Sequence, residues 1–213
     1  LTIILLFSGC QEKTYDYGFS EGGIGGEGWP VWGEYLIVNE AWQVPVGNLP
    51  GGTVDNIPVG SQSGLGRKPV PKTLRARWFS YRNQTFYEVT VVILEARQTQ
   101  IKQWLKQYPT DRYLHELAVG FAGQGELQAW WTIFCKAIDC PKGQPKTDHF
   151  ELTPRTKAKV AEGDPSGYRD GTLSRIKDGR IPEEVMELLL PAKEESAEDK
   201  ALYESIMNFV PGK

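Results

Sequence analysis

The sequence predicts an α+β fold: a mainly antiparallel, sandwich-like β-sheet with one packed amphipathic helix and further helices at the C-terminal end. Residues 74–81 alternate between apolar and polar side chains, and residues 86–94 are rich in β-branched residues. A short polar turn separates the two segments, which is typical of an antiparallel hairpin. Residues 95–108 then place apolar side chains at helical spacing, which indicates an amphipathic helix that packs on the sheet and ends at Pro109.

Weaker strand and loop signals come earlier in the chain. Residues 21–28 are rich in glycine and carry no phosphate-binding motif, so we expect a flexible entry loop. Residues 29–38 combine aromatic and β-branched side chains and predict a strand, for which residues 41–46 are a candidate hairpin partner. Residues 50–71 hold Gly, Pro, Ser and Asn with little periodicity, which predicts a long surface loop.

A second hairpin is predicted from residues 114–122 and 127–135, which flank a turn with two glycines. Successive side chains of a strand point to opposite faces, so at most one of Trp130 and Trp131 lies in the main core. In the first hairpin, the same rule separates Leu74, Ala76 and Trp78 from Arg75, Arg77 and Phe79.

The first ten residues resemble a lipobox, the signal that directs a cysteine to be acylated. Residues 1–7 are apolar and uncharged, and small residues directly precede Cys10, as at the cleavage point of a signal peptide. We predict a signal peptide over residues 1–9 with a truncated basic region, and attachment of acyl chains such as palmitate to Cys10. Two or more such chains hold a protein firmly in a lipid bilayer. The alternative is a buried strand with an ordinary cysteine.

The position of the anchor suggests a location and a division of the chain. The residue after Cys10 is Gln11 and not Asp, which resembles the sorting signal of outer-membrane lipoproteins. We therefore expect an outer-membrane lipoprotein of the cell envelope that faces the periplasm. Residues 10–21 would then be a lipidated polar tether and residues 22–162 a β-rich lipoprotein domain. Residues 163–213 would form a helical extension: a linker over 163–171, a short helix from Ile181 and a second helix over residues 194–209.

The cysteines other than Cys10 are Cys135 and Cys140, in a C-x4-C pattern. In an oxidising periplasm this pair could close a short loop as a disulfide, although two free thiols remain an alternative. Half of a zinc site is a further alternative, but His149 is the nearest other candidate ligand and zinc needs about four ligands. We therefore expect no metal and no cofactor.

The middle of the chain resembles a bacterial envelope lipoprotein family of unknown function (DUF2931-like). The resemblance rests on W-P-V-W-G-E-Y at residues 29–35, R-W-F-S-Y at 77–81 and F-Y-E at 86–88. The segment L-A-V-G-F-A-G-Q-G-E-L-Q-A-W-W at residues 117–131 is also similar, and the match covers roughly Gly22 to Ala161. The family implies an envelope lipoprotein, and it carries no established catalytic residues.

The sequence offers little support for an enzyme or a nucleic-acid-binding protein. A net charge of −3 provides no basic field for a polyanion, so nucleic acid is a poor candidate partner. His115 and His149 are interpreted as surface histidines, and no hydrolase motif is present. The carboxylates Glu34, Glu40 and Glu88 could pair in a glycosidase-like cleft, although chance placement explains them equally well.

Binding is the better-supported function. We predict a membrane-anchored lipoprotein that acts by protein interaction with a partner of unknown identity, one form of which is an immunity protein against a secreted toxin. An envelope glycan-binding protein or a hydrolase is the alternative. Because aromatic residues mark binding hot spots, the candidate binding residues are Trp29, Trp32, Trp78, Tyr81, Tyr87 and Glu88. The competing interpretation is that most of these rings belong to the core.

Overall fold

The computed structural model describes residues 12–52, 57–58, 62–136 and 140–189, which form a β-sandwich with flanking helices. The predicted signal peptide, Cys10 and the predicted helix over residues 194–209 lie outside the described residues. The α+β class with mainly antiparallel strands is confirmed. No helix in the described ranges combines the length and the apolar character that crossing a membrane requires.

Strands make up most of the structure. In chain order they are β1 Thr14–Gly23, β2 Val31–Val38, β3 Trp42–Val44, β4 Asn48–Leu49, β5 Gln62–Pro69, β6 Thr73–Ser80, β7 Thr85–Val92, β8 Tyr113–Ala122, β9 Glu126–Cys135, β10 Thr147–Glu151, β11 Thr156–Lys157 and β12 Lys159–Ala161. The helices are α1 Glu95–Gln107, α2 Arg169–Lys177 and α3 Met186–Leu189, with 3₁₀ turns at Pro165–Tyr168 and Glu183–Val185.

The strands form two sheets that face each other. Sheet A has the order β10-β9-β8-β1-β5, with β11 beside β9, and sheet B has the order β12-β7-β6-β2-β3, with β4 beside β2. Every described pairing is antiparallel except the one between β1 and β8. Both predicted hairpins, β6–β7 and β8–β9, are confirmed, and β3 pairs with β2 as expected.

The core lies between the inner faces of the two sheets. Trp78 from sheet B and Trp131 from sheet A are fully buried there, and Ile101 of α1 packs into the same cluster. Burying one large apolar side chain contributes roughly 1.5–3 kcal/mol. Trp130 points to the opposite face and belongs to a separate buried cluster, so the prediction for the two adjacent tryptophans is confirmed.

Thr14–Gly23 form β1 in the interior of sheet A, so most of the predicted tether and the first three residues of the predicted glycine-rich loop are strand. Tyr17 and Phe19 alternate into the core, while glycines occupy positions where a side chain would collide. A Cβ on Gly22 would lie 2.7 Å from Cβ of Pro58. The glycines that indicated flexibility are thus required by close packing.

Two further segments contain unpredicted elements. The second half of the predicted loop over residues 50–71 contains β5, which lies at the edge of sheet A and pairs with β1. Its sequence is polar because an edge strand is held by backbone hydrogen bonds on one side and faces solvent on the other. The predicted linker over 163–171 contains a 3₁₀ turn and the start of α2. Gly171 lies within α2, where a Cβ would be 3.1 Å from the Tyr81 ring, so this glycine permits close packing of helix on sheet.

The C-terminal helices cover one end of the outer face of sheet B. Leu173 and Ile176 of α2 and Met186 of α3 pack against Phe79 and Phe86 of the sheet. The short helix that was predicted from Ile181 is present as a 3₁₀ turn followed by α3. The described residues leave the remainder of that outer face uncovered.

Candidate functional site

The candidate binding residues do not form one exposed surface, because three of them are buried. Trp78, Tyr81 and Tyr87 are respectively 0%, 3% and 9% exposed, so they belong to the core. The indole Nε1 of Trp78 donates a hydrogen bond to the carbonyl of Ala122 at 3.0 Å, and Asn83 donates one to the Tyr87 hydroxyl at 2.7 Å. Buried Trp and Tyr need such partners for their polar atoms, and here the partners are structural.

The other predicted binding residues remain accessible, but only two of them share a surface. Trp32 is 39% exposed and lies on the outer face of sheet B, opposite Phe79. Glu88 points outward on the same sheet. Trp29 lies before β2, at a different place, where the Arg82 guanidinium stacks on its ring at 4.5 Å.

The predicted carboxylates are held by arginine and tyrosine side chains. The Tyr35 hydroxyl donates a 2.6 Å hydrogen bond to Oε1 of Glu88, and the Arg75 guanidinium lies over the Tyr35 ring at 5.5 Å. Nε of Arg75 donates to Glu40 at 3.2 Å. Burial and, after it, the hydrogen bond to Glu88 raise the pKa of Tyr35, so this hydroxyl stays protonated and remains a donor.

Glu34 belongs to a second, more covered group at the bulge in β2. Its carboxylate accepts hydrogen bonds from Nε of Arg77 and, at 2.7 Å, from the hydroxyl of Tyr168. Arg77 also donates to the carbonyl of Glu162 at 2.7 Å and lies over the Phe86 ring. This group connects the sheet with the chain that leads to the C-terminal helices.

The uncovered part of sheet B forms an outward surface that we call the open face. Strand register and burial place alternate residues of β6 and β7 in the core, so their neighbours point away from it. Val92, at the end of β7, is 66% exposed, so it adds apolar surface to this side of the sheet. The open face consists of Tyr35, Ile37, Glu40, Gln43, Thr73, Arg75, Glu88, Thr90 and Val92.

His115 is not the surface residue that was predicted, since it is 1% exposed within β8. Nε2 lies 2.6 Å from the carbonyl of Tyr108, and Nδ1 accepts a hydrogen bond from the indole of Trp131 at 3.1 Å. Burial lowers the pKa of His115, so the ring is neutral, with its proton on Nε2. The ring therefore has a structural role, since its two nitrogens connect Tyr108 and Trp131. His149 lies exposed on β10, as predicted.

The predicted disulfide is confirmed, because Cys135 and Cys140 are bonded, with Cα atoms 6.1 Å apart. It ties the end of β9 to the segment before β10. Within the described ranges, no group of three or more His, Cys, Asp or Glu side chains is arranged to hold a metal ion.

Sequence reasoning missed the residues that give the open face its character. Tyr35, Arg75 and Val92 carry no catalytic motif, although alternation in residues 74–81 already pointed Arg75 away from the buried side. The sequence pattern that could have indicated the open face is a set of outward-facing strand residues that includes both charged and apolar side chains. It was not recognised because the outer side of an antiparallel sheet usually faces solvent and binds nothing.

Comparison with known proteins points to a family and to no activity. The search of curated proteins and the search of solved structures each found no match to this chain. A family model described as a protein of unknown function (DUF2931) matches residues 11–183. This range contains the segment whose motifs resemble the family and extends beyond both of its ends. Since that match covers most of the chain, the chain belongs to the DUF2931 family.

Proposed function

We propose that this chain is a lipid-anchored, non-catalytic protein of the bacterial envelope that binds another protein through the open face of sheet B. The observation that carries the proposal is the arrangement of that face, in which exposed apolar surface at Val92 lies on the same sheet as a fixed group of Tyr35, Arg75 and Glu88. The lipobox-like residues before Cys10 support the envelope address.

The open face has the chemistry of a binding hot spot. Tyrosine and arginine are enriched at hot spots, and their contribution grows when they are already ordered before binding. Tyr35 is fixed by its hydrogen bond to Glu88, and Arg75 is held between Glu40 and the Tyr35 ring. Association would therefore cost little side-chain entropy at these residues.

The charges on the face indicate the chemistry of the partner. Glu40 and Glu88 are 54% and 40% exposed and both contact Arg75, so two carboxylates share one guanidinium. The chain as a whole carries a net charge of −3. A partner with an apolar side chain for Val92 and a basic group for the carboxylates would be complementary, and a secreted toxin neutralised in the periplasm is the partner class that we favour.

The proposal is tested by capture of partners from intact envelopes with the tagged, acylated chain. Glu88→Lys and Val92→Asp should each remove the captured protein, because the first opposes the basic group of the partner and the second would bury a charge within the apolar contact. Glu151→Lys is the matched control for the first variant, since Glu151 is exposed on β10 of sheet A and its replacement changes the net charge by the same amount. Capture that survives both variants of the face, or that fails equally with Glu151→Lys, would contradict the proposal.

A glycan-binding function is the second candidate, and exposed Trp32 on the outer face of the same sheet favours it. An indole face can pack on a sugar ring. Trp32→Ala should then weaken binding to peptidoglycan, and Glu88→Gln should reduce any cleavage of it. Wild-type behaviour of both variants would remove this candidate.

A further inference from the structure

A cleft of about 1020 Å³ lies away from the open face, beside the C-terminal helices. Its walls come from the turn before β2, from the segment that follows β4 and from the loop between α2 and the second 3₁₀ turn. This volume matches the upper end of small-molecule sites, roughly 300–1,000 Å³. Prolines and isoleucines supply apolar walls: Pro30, Pro50, Ile176, Ile181 and Pro182.

Arg175 presents a half-buried guanidinium to this cleft. Its Nη1 donates to the carbonyl of Gly171 at 2.7 Å, its Nη2 donates to the side chain of Asn48, and the group stacks on the Tyr81 ring at 3.7 Å. These partners fix its position, and its charge is offset only in part, by the more distant carboxylate of Asp178. No carboxylate of the described residues lies within 4.0 Å of it.

A second half-buried guanidinium, that of Arg82, lines the same cleft. It stacks on Trp29 at 4.5 Å and forms no ion pair with the described residues. Its Nη1 lies 3.3 Å from the place where a Cβ of Gly28 would be, so the glycine leaves room beside the guanidinium. Gly28 has φ +79°, which a glycine adopts freely.

Arg180 also lines the cleft, but it is exposed and forms an ion pair with Asp178 at 3.8 Å. Burial lowers the pKa of Arg175 and the charge of Arg180 lowers it further, while Tyr81 and Asp178 act in the opposite direction. The acidic lining residues Glu27, Asp178 and Glu183 are all exposed, where water screens them. The half-buried charges of the cleft, those of Arg82 and Arg175, are therefore both positive, and an anion placed between them would offset the cost of their desolvation.

We propose that this cleft binds a small, multiply charged oxyanion, carried as a phosphate or polycarboxylate group. Guanidinium groups match such anions because their planar forks donate paired hydrogen bonds to two oxygens. Arg82 and Arg175 are the residues that would hold the anion, and they are already positioned by Trp29 and Tyr81.

The test is a titration of the full-length chain with inorganic phosphate and, separately, with citrate, at an ionic strength kept constant with sodium chloride. The Nε–Hε resonances of arginine report the site by NMR. Saturable shifts are expected at Arg82 and Arg175 and none at Arg97, which stacks on Phe150 outside the cleft. The anion that binds more tightly identifies which of the two chemistries the site prefers.

Variants separate a binding site from a structural cluster. Arg82→Gln and Arg175→Lys should each weaken binding at least about tenfold, because each removes hydrogen bonds to a charged group. Arg97→Gln should leave affinity unchanged. Because Arg175 also packs on Tyr81, Arg82→Gln is the decisive variant if Arg175→Lys does not fold. Shifts that chloride reproduces, shifts of equal size at Arg97, or wild-type affinity of Arg82→Gln would overturn the proposal.

Discussion

Tyr168 donates a 2.7 Å hydrogen bond to Oε1 of Glu34, which joins the 3₁₀ turn before α2 to the bulge in β2. The Tyr168 ring also stacks on Phe79 of β6, with centroids 4.2 Å apart. The hydrogen bond links residues 134 positions apart in the chain. The helices after residue 163 are thereby packed on the same sheet that carries the open face.

Tyr168→Phe should lower the free energy of unfolding by about 1.5 kcal/mol, because it removes a hydrogen bond to a partly buried carboxylate. Chemical denaturation measures the change. Tyr15→Phe is the matched control, since the Tyr15 hydroxyl makes no hydrogen bond to the described residues. This substitution should lower the free energy of unfolding by less than about 0.5 kcal/mol. Equal effects of the two variants would show that the Tyr168–Glu34 bond contributes nothing.

Glu21 predicts a pH dependence of stability. It is 6% exposed in β1, and burial raises its pKa to about 7 from an ordinary value of 4.5. Between these two pH values the folded chain holds a proton that the unfolded chain has lost, so stability falls as pH rises from 4.5 to 7. Above pH 7 the whole penalty remains, on the order of 3 kcal/mol at most.

Glu21→Gln should therefore raise stability at pH 8 and change it little at pH 4.5. Urea denaturation at the two pH values measures this difference. The control is Glu151→Gln, which alters an exposed carboxylate on β10 and should shift stability equally little at both. A Glu21→Gln variant that is no more stable than wild type at pH 8 would show that the carboxylate of Glu21 is not penalised by burial.

The disulfide between Cys135 and Cys140 closes a short loop, so its entropic contribution is modest. The chain-entropy model gives about 2 kcal/mol for a loop of this length. A Cys135→Ser, Cys140→Ser double variant should be destabilised by that amount while the sheets stay intact. The free energy of unfolding under oxidising and reducing conditions provides the measurement, and wild type should converge on the variant when it is reduced.

The sequence predicted those parts of the fold where alternation is strong. In β6, Leu74, Ala76 and Trp78 share one face and Arg75, Arg77 and Phe79 share the other, as expected, and the first face points into the core. The pattern could not reveal β1, because this central strand uses glycines for close approach to neighbouring segments. In a sequence, glycines are interpreted as a sign of flexibility. In the packed structure, they allow neighbouring segments to approach the strand closely.

The candidate site was predictable only in part. Trp78 was a candidate binding residue whose ring could instead belong to the core, and it is fully buried there. Glu88, another candidate binding residue, is accessible, but its partners Tyr35 and Arg75 come from other strands. Side chains that meet across strands depend on register, which the sequence alone does not specify when several strands compete.

The cleft beside the C-terminal helices was missed for a related reason. Arg82 lies in a hairpin turn and Arg175 in a helix that was interpreted as partly linker, 93 positions later in the chain. Nothing in either local sequence distinguishes these arginines from solvated ones. Their half-buried position comes from packing of α2 on sheet B, which brings Arg175 over Tyr81.

The central claim is that the open face of sheet B contacts another protein, and site-specific photo-crosslinking tests it most directly. A photoreactive residue at Val92, in the acylated chain within intact envelopes, would report contacts of that face. The same residue at His149, exposed on sheet A, is the control. We predict one discrete crosslinked protein from position 92 and none from position 149. Identical products from both positions, or no product from position 92 when the chain is correctly folded and anchored, would contradict the account.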